Sequence, residues 1–187
     1  MTNEIVLYSW YALYLLGLAR FTEAVREMES ALEFDPLSMI INANLGMILS
    51  FSGEQDKAIE QYRKALEIDP DFVLTHYWLG MAYLGKGETD NALKSFSKGI
   101  KIGKDSPLAL GYLGLVHGLR SEKSEIENIL ERFTQLTNGY IHPYCEALIH
   151  IALGDYDKSF ILLNQAFDER DPLLIYLHSL PGLIPAL

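Results

Sequence analysis

The chain has 187 residues, of which 49% are hydrophobic and 21% are charged, which is too apolar and too weakly charged for a disordered segment. Its 15 Lys and Arg residues against 25 Asp and Glu residues give a net charge of −10. This balance argues against nucleic acids and anionic membranes as partners, because both require a basic protein surface. The single cysteine, Cys145, cannot form an internal disulfide, which is typical of a protein of the reducing cytoplasm.

An uncharged stretch from Ile5 to Ala19 is the first predicted element. It has 15 residues, whereas a helix that crosses a bilayer needs about 20 apolar residues. A secretory signal would begin with basic residues, but Met1-Thr2-Asn3-Glu4 precedes this stretch. We therefore predict a buried helix of a soluble protein, in preference to a membrane anchor or a signal remnant.

Short motifs recur along the chain at intervals of 34 residues. Phe34-Asp35-Pro36 returns as Ile68-Asp69-Pro70, and Leu45-Gly46 returns as Leu79-Gly80 and again as Leu113-Gly114. A period of about 34 residues fits a unit of two helices joined by a turn. The chain is therefore predicted to be an array of helix pairs.

Small residues occupy the positions where the two helices of a unit are predicted to touch. Gly46, Gly80 and Gly114 lie on first helices, where the missing side chain permits close approach of the second helix. The large residues Tyr62 and Phe96 are predicted to fill the space around this contact. Packing at the small positions is therefore predicted to be intolerant of larger side chains.

Glycine and proline mark the ends of the predicted helices. Gly53 and Gly87 end first helices, where glycine adopts a left-handed backbone at the lowest cost. Asp35-Pro36 and Asp69-Pro70 end second helices, because proline disfavours helical backbone at the residue before it. Both signals recur with the period of the repeat.

These residues resemble those of the tetratricopeptide repeat family, most closely in the second and third units. The resemblance implies an all-α fold of ten helices in five antiparallel pairs, stacked as a right-handed superhelical solenoid with an extra C-terminal helix. In the fourth unit, Ser121 stands in place of the turn glycine and Ile126 in place of the small alanine, so this helix pair is predicted to be splayed or shifted. The single domain is expected to contain units at residues 5–38, 39–72, 73–106, 107–140 and about 140–173, with a capping segment at 174–187 whose first part covers the fifth unit.

The second half of the chain also resembles the C-terminal repeats of certain bacterial signalling proteins. The similar residues are Tyr140-Ile141-His142-Pro143-Tyr144, Leu153-Gly154-Asp155-Tyr156-Asp157-Lys158 and Phe167-Asp168-Glu169-Arg170-Asp171-Pro172. In those relatives the repeats follow a winged-helix transcription-regulator domain, a nucleotide cyclase or a kinase domain. The resemblance therefore implies the regulatory part of a signalling system.

In the tetratricopeptide repeat family, a fixed set of positions on the first helices lines the concave surface and contacts ligands. None of these positions in the present sequence holds a charged residue. Repeat proteins that clamp the C-terminal carboxylate of heat-shock chaperones use Lys, Arg and Asn there, and only Asn44 is kept, which argues against such a clamp. The residues expected to line a peptide-binding groove are Trp10, Asn44, Met47, Tyr77, Trp78, Met81, Tyr112 and Tyr144.

Aromatic and methionine side chains in a groove suit an apolar or amphipathic protein segment, because Trp and Tyr anchor binding hot spots and Met adapts to irregular partners. We therefore expect a non-enzymatic, cytoplasmic scaffold whose partners are proteins or peptides rather than nucleic acids or membranes. Each aromatic residue could instead pack between neighbouring repeats. The alternative interpretation is a self-association module, in which the groove or the uncharged ends, Ile5–Ala19 and Leu173–Leu187, are filled by the chain itself or by a neighbouring copy.

The sequence offers few candidates for catalysis or metal binding. It lacks a glycine-rich phosphate loop, a Gly-x-Ser-x-Gly elbow and a Cys-x-x-Cys pair. The best cluster is His142, Cys145, Glu146 and His150, in which Glu146 and His150 are predicted to share a helix face. A metal or thiol site at His142, Cys145 and His150 is kept as a second alternative, although a metal needs three or four converging ligands. No catalytic residue and no cofactor are expected.

Overall fold

Residues 2–137 and 142–179 are described in the computed structural model, and they form ten α-helices followed by a 3₁₀ segment. No strand occurs within these ranges. The helices are α1 (Thr2–Gly17), α2 (Phe21–Phe34), α3 (Met39–Phe51), α4 (Gln55–Ile68), α5 (Val73–Gly85), α6 (Thr89–Gly103), α7 (Pro107–Leu119), α8 (Lys123–Thr137), α9 (Pro143–Leu153) and α10 (Tyr156–Asp168), and the 3₁₀ segment is Pro172–Ser179.

The odd and even helices differ in the way they bury their side chains. The odd helices α3, α5 and α7 are apolar on most of their circumference, whereas α2, α4 and α6 are amphipathic. Each of these even helices packs against its own odd helix and against the next odd helix along the chain. One continuous core therefore runs between the two layers. This arrangement confirms the predicted all-α tetratricopeptide-repeat solenoid.

The predicted contacts at small residues are confirmed in the second and third units. A Cβ atom at Gly46 would lie 2.6 Å from Cε1 of Tyr62, and one at Gly80 would lie 2.8 Å from Cζ of Phe96. The Phe96 ring is fully buried and stacks on Tyr112 with ring centroids 5.6 Å apart, so it has no space into which to move. Each glycine is therefore required by the aromatic ring of its partner helix.

The turns between first and second helices all use left-handed backbone. Gly53 and Gly87 have φ angles of +85° and +75°, as the sequence predicts. Ala19 and Ser121 occupy the equivalent turns of the first and fourth units and adopt the same conformation, with φ of 56° and 58°. The turn geometry is thus imposed by the packing of the repeats even where a side chain makes it unfavourable.

The fourth helix pair is displaced, as predicted, but its glycines serve a different contact. A Cβ atom at Gly111 would lie 2.9 Å from the carbonyl oxygen of Cys145, and one at Gly118 would lie 2.8 Å from Cβ of Ala152. Gly114 was expected to face its own second helix, and this expectation is wrong, because the nearest atoms belong to Ile149 of α9. Helix α7 therefore packs mainly against α9, and α8 is splayed away.

A repeated ion-pair motif joins neighbouring units on the outer side. Lys86 contacts Asp56 at 2.6 Å and Glu88 at 2.8 Å, so it ties the turn of the third unit to the second helix of the unit before it. One repeat later, Arg120 contacts Asp90 and Glu122 in the same way. These pairs are partly exposed, so each contributes little to stability and mainly fixes the register of adjacent units.

The contact at Gly80 gives a direct test of the packing. We expect Gly80→Ala to lower the free energy of unfolding by about 1–3 kcal/mol, because the new methyl group would overlap the immobile Phe96 ring. Gly17→Ala is the matched control, since no atom lies within 4 Å of a Cβ at Gly17. The control should be neutral or stabilising, by about 0.5–1 kcal/mol. Urea unfolding followed by circular dichroism measures both variants, and an unchanged midpoint for Gly80→Ala would contradict the assignment.

Candidate binding groove

The first helices of the repeats supply the residues that the sequence places in the groove. Trp10 of α1 is the most accessible of them, with 70% of its surface exposed. Asn44, Met47 and Trp78 on α3 and α5 are partly exposed. These four predicted groove residues keep part of their surface exposed.

The other four predicted groove residues are buried. Tyr77 packs over Gly99 of α6, and Met81 lies beside it in the core. Tyr112 and Tyr144 are fully buried, and their hydroxyl groups are hydrogen-bonded to each other at 2.9 Å. The expectation that these tyrosines line an open groove is therefore corrected: they join α7 to α9 in the core.

The glycines of α7 explain why the groove closes at this end. Gly111 and Gly118 stand where α5 has Tyr77 and Leu84, so α9 can approach the α7 backbone without steric conflict. The open part of the groove is therefore formed by α1, α3 and α5. Exposed apolar side chains in this part include Val6, Ile40 and Leu74.

The 3₁₀ segment of the chain itself occupies the middle of this groove. It contacts α3 and α5, and the Tyr176 ring lies 6.0 Å from the Phe51 ring, centroid to centroid. Tyr176 also lines one small pocket together with Met47, Trp78 and Met81. The predicted capping segment was expected to cover the fifth unit, but its described part reaches back to the second and third units. Residues 180–187 of that segment lie outside the described residues.

Buried phenol groups surround the occupied part of the groove. Burial raises the pKa of Tyr62 well above its usual value, and the nearby Tyr176 phenol adds to this effect. Burial likewise raises the pKa of Tyr112 and of Tyr144, with a smaller contribution from Tyr176 in each case. All of these phenols therefore stay neutral at physiological pH and present no charge to a ligand.

The alternative site at His142, Cys145 and His150 is not assembled as a metal or thiol centre. Cys145 is fully buried, and burial raises the pKa of its thiol to about 12. His150 lies 3.5 Å from both Glu146 and Asp155, so the predicted shared face of Glu146 and His150 is present. Within the described ranges, no group of three or more His, Cys, Asp or Glu side chains is arranged to hold a metal ion.

The sequence did not predict a second concave surface, which lies beside α8. An apolar cleft of about 480 Å³ opens between α7, α8 and α9, with walls that include Leu115, Leu119, Ile126 and Ile151. It exists because α8 is splayed from α7. The available signal was Ile126, which replaces the small residue that would have kept the two helices close.

Comparison with protein families agrees with this geometry. A model described as a TPR repeat matches residues 52–87, and a model described as a tetratricopeptide repeat matches residues 74–105. A search of curated proteins gave no match.

Solved structures with the same fold include three informative neighbours. A crystal structure of MamA protein has a TM-score of 0.66 and 22% identity, covering 94% of this chain and 97% of that one. A tetratricopeptide repeat protein from Parabacteroides merdae has a TM-score of 0.68 and 17% identity, covering 95% of this chain and 71% of that one. The first TPR of Spaghetti (RPAP3), bound to the HSP90 peptide SRMEEVD, has a TM-score of 0.61 and 11% identity, covering 65% of this chain and 96% of that one.

The fold and the groove define an α-helical repeat solenoid. The matched repeats within residues 52–105 and the structural neighbours show that the chain has the tetratricopeptide-repeat fold. Among the described residues, every helix is too short or too polar to span a membrane.

The state of Cys145 can be measured directly, because it is the chain's single cysteine. We expect alkylation by iodoacetamide at pH 8 to be at least about 100-fold slower in the folded protein than in urea, since burial suppresses the thiolate. The same protein in denaturant is the control. Comparable rates in both conditions would show that the thiol is accessible and reactive.

Proposed function

We propose that this protein is a non-enzymatic scaffold that binds an apolar or amphipathic segment of a partner protein in the groove formed by α1, α3 and α5. The observation behind the proposal is that the groove already accepts an apolar segment. Tyr176 of the 3₁₀ segment packs beside Phe51 there, and Leu173, Leu174 and Leu177 of the same segment are partly buried against the core. An apolar or amphipathic partner segment could make the same contacts with the groove.

The composition of the groove supports this class of ligand. The helices that line it present Trp10, Met47 and Trp78 to solvent or to the 3₁₀ segment. Tryptophan gives a large apolar contact area, and methionine adjusts its shape to the partner. Neither α3 nor α5 contains a charged residue, so recognition by ion pairs is absent along the centre of the groove.

The peptide bound to the first TPR of Spaghetti (RPAP3) differs in chemistry from the ligand proposed here. That peptide, SRMEEVD, has acidic side chains and a C-terminal carboxylate. Binding such a peptide requires Lys or Arg side chains, because buried carboxylates need charged partners. No Lys or Arg occurs in α1, α3, α5, α7 or α9 of this chain. The proposed ligand is therefore apolar rather than acidic.

The 3₁₀ segment sets a condition on the partner. Because Tyr176 covers Phe51 and closes the pocket beside Trp78, a partner reaching the centre of the groove must displace it. The apparent affinity for the partner is then reduced by the fraction of molecules in which the segment is docked. A role as the regulatory part of a signalling system and a cytoplasmic location remain predictions from the sequence.

A peptide with the sequence of residues 171–179 is the probe that the structure provides. We expect the fluorescently labelled peptide to bind weakly to the wild type and more tightly to Tyr176→Ala, in which the chain's own segment is weakened. Adding Met47→Asp to Tyr176→Ala should reduce the affinity by about tenfold or more, because it places a charge in the apolar groove. Fluorescence anisotropy measures all three proteins.

The control for this assay is Leu37→Asp in the Tyr176→Ala background. Leu37 is exposed in the connection between α2 and α3, outside the groove, so the added charge should leave binding unchanged. Failure of the peptide to bind Tyr176→Ala, or binding that Met47→Asp leaves intact, would contradict the proposal.

The acidic peptide SRMEEVD gives a separate prediction. We expect no saturable binding to the wild type or to Tyr176→Ala, because the first helices offer no Lys or Arg to its carboxylates. The same anisotropy assay measures it beside the 171–179 peptide. Binding of SRMEEVD as tight as that of the apolar peptide would show that charge, not apolar contact, governs the groove.

A further inference from the structure

The first helix exposes residues that every later repeat buries. Leu7 and Tyr14 of α1 are 70% and 61% exposed, and Tyr11 between them is also exposed. In α3, α5 and α7, each of which packs on the second helix of the preceding unit, the residues at the same positions are buried. These buried equivalents are Ile41, Leu45 and Ile48 in α3, Thr75, Leu79 and Ala82 in α5, and Ala109, Leu113 and Val116 in α7.

The last second helix exposes the complementary side. Phe160 and Phe167 of α10 are 51% and 72% exposed. Counted from the turn glycines Gly154 and Gly53, their equivalents in α4 are Ile59 and Leu66, which are buried or partly buried in the core. Helix α4 packs on α5 in the next unit, whereas no described helix follows α10 in this position.

A third pair of positions shows the same mismatch. The Tyr62 ring of α4 lies 6.3 Å from the Trp78 ring of α5, and Phe96 stacks on Tyr112 one unit later. The equivalent residue on α10 is Leu163, and the equivalent residue on α1 is the exposed Trp10. Each end of the solenoid thus exposes one half of the interface that joins consecutive units inside the chain.

We propose that copies of this protein stack end to end, with α10 of one copy packed against α1 of the next in the way that α4 packs against α5. The head face is Leu7, Tyr11 and Tyr14, and the tail face is Phe160, Leu163 and Phe167. A second copy is the occupant that the structure favours, because both halves of the repeating interface are present on one molecule. This contact uses the ends of the solenoid and goes beyond the groove of the proposed function.

The proposed interface has a defined symmetry. Head and tail faces are different surfaces, so the contact is heterologous and the tail of each added copy stays available for another. Each joint resembles a contact between consecutive repeats, whose apolar side chains gain by leaving water. The net charge of −10 on each copy opposes association, so added salt should strengthen it.

Two variants of the 187-residue chain separate this arrangement from all symmetric ones. The head-blocked variant carries Leu7→Asp and Tyr14→Asp, and the tail-blocked variant carries Phe160→Asp and Phe167→Asp. The four side chains are exposed, so circular dichroism should show unchanged helicity. Should a double variant lose helicity, Leu7→Asp or Phe167→Asp alone replaces it. Leu37→Asp is the control for an added charge at an exposed leucine away from both faces.

Sedimentation velocity at roughly 100 μM reports the outcome, because a micromolar contact is nearly saturated at that concentration. We expect the wild type and Leu37→Asp to form species larger than dimers, and each blocked variant alone to be monomeric. An equimolar mixture of the two blocked variants should form a dimer and nothing larger, since it contains one intact head and one intact tail.

Four results would overturn the proposal. A monomeric wild type would assign the two faces to other partners or to the chain's own last residues. Dimers of the tail-blocked variant alone would indicate a symmetric head-to-head contact, and dimers of the head-blocked variant alone would indicate a tail-to-tail contact. An equimolar mixture that stays monomeric would show that head and tail do not meet.

Discussion

The close contact between a glycine on one helix and an aromatic ring on its partner is the constraint on which the solenoid depends. Gly46 with Tyr62 and Gly80 with Phe96 hold the two helices of a unit at a fixed distance. The same rings then pack on the next first helix, Tyr62 on Trp78 and Phe96 on Tyr112. One side chain thus sets both the pairing within a unit and the stacking between units, which explains why the motif recurs with the period of the fold.

The form of the groove depends on α7, where the glycines contact the next first helix instead of their own second helix. In α7 the glycines at 111, 114 and 118 face α9, so the fourth and fifth first helices close on each other. The buried Tyr112–Tyr144 hydrogen bond then belongs to the core rather than to a binding surface. Among the described residues, the groove consequently stays open along α1, α3 and α5.

Periodicity in the sequence was sufficient to predict the fold, because each structural requirement recurs at the same interval. Periodicity could not predict that Tyr112 and Tyr144 are buried in the core. The position of a residue within a repeat does not reveal how far apart neighbouring first helices lie. Gly111 and Gly118 carried the missing information: they stand where α5 has Tyr77 and Leu84. No periodic signal in the sequence indicated the path of the 3₁₀ segment. This segment occurs once and lies across several units, so it is not part of the repeat.

Trp10 connects the groove with the end of the solenoid. Its equivalent, Trp78, packs near the Tyr62 ring of the preceding second helix. Trp78 also lines the pocket that Tyr176 covers. Among the described residues, no ring or pocket contact of this kind is made by Trp10, and 70% of its surface is exposed. In a solenoid each unit is stabilised only by its neighbours, so the first unit lacks one of the contacts that fix the others. A copy stacked on α1 would supply that contact and fix the indole at the edge of the groove. End-to-end stacking would therefore order the first unit of the binding surface without changing its centre.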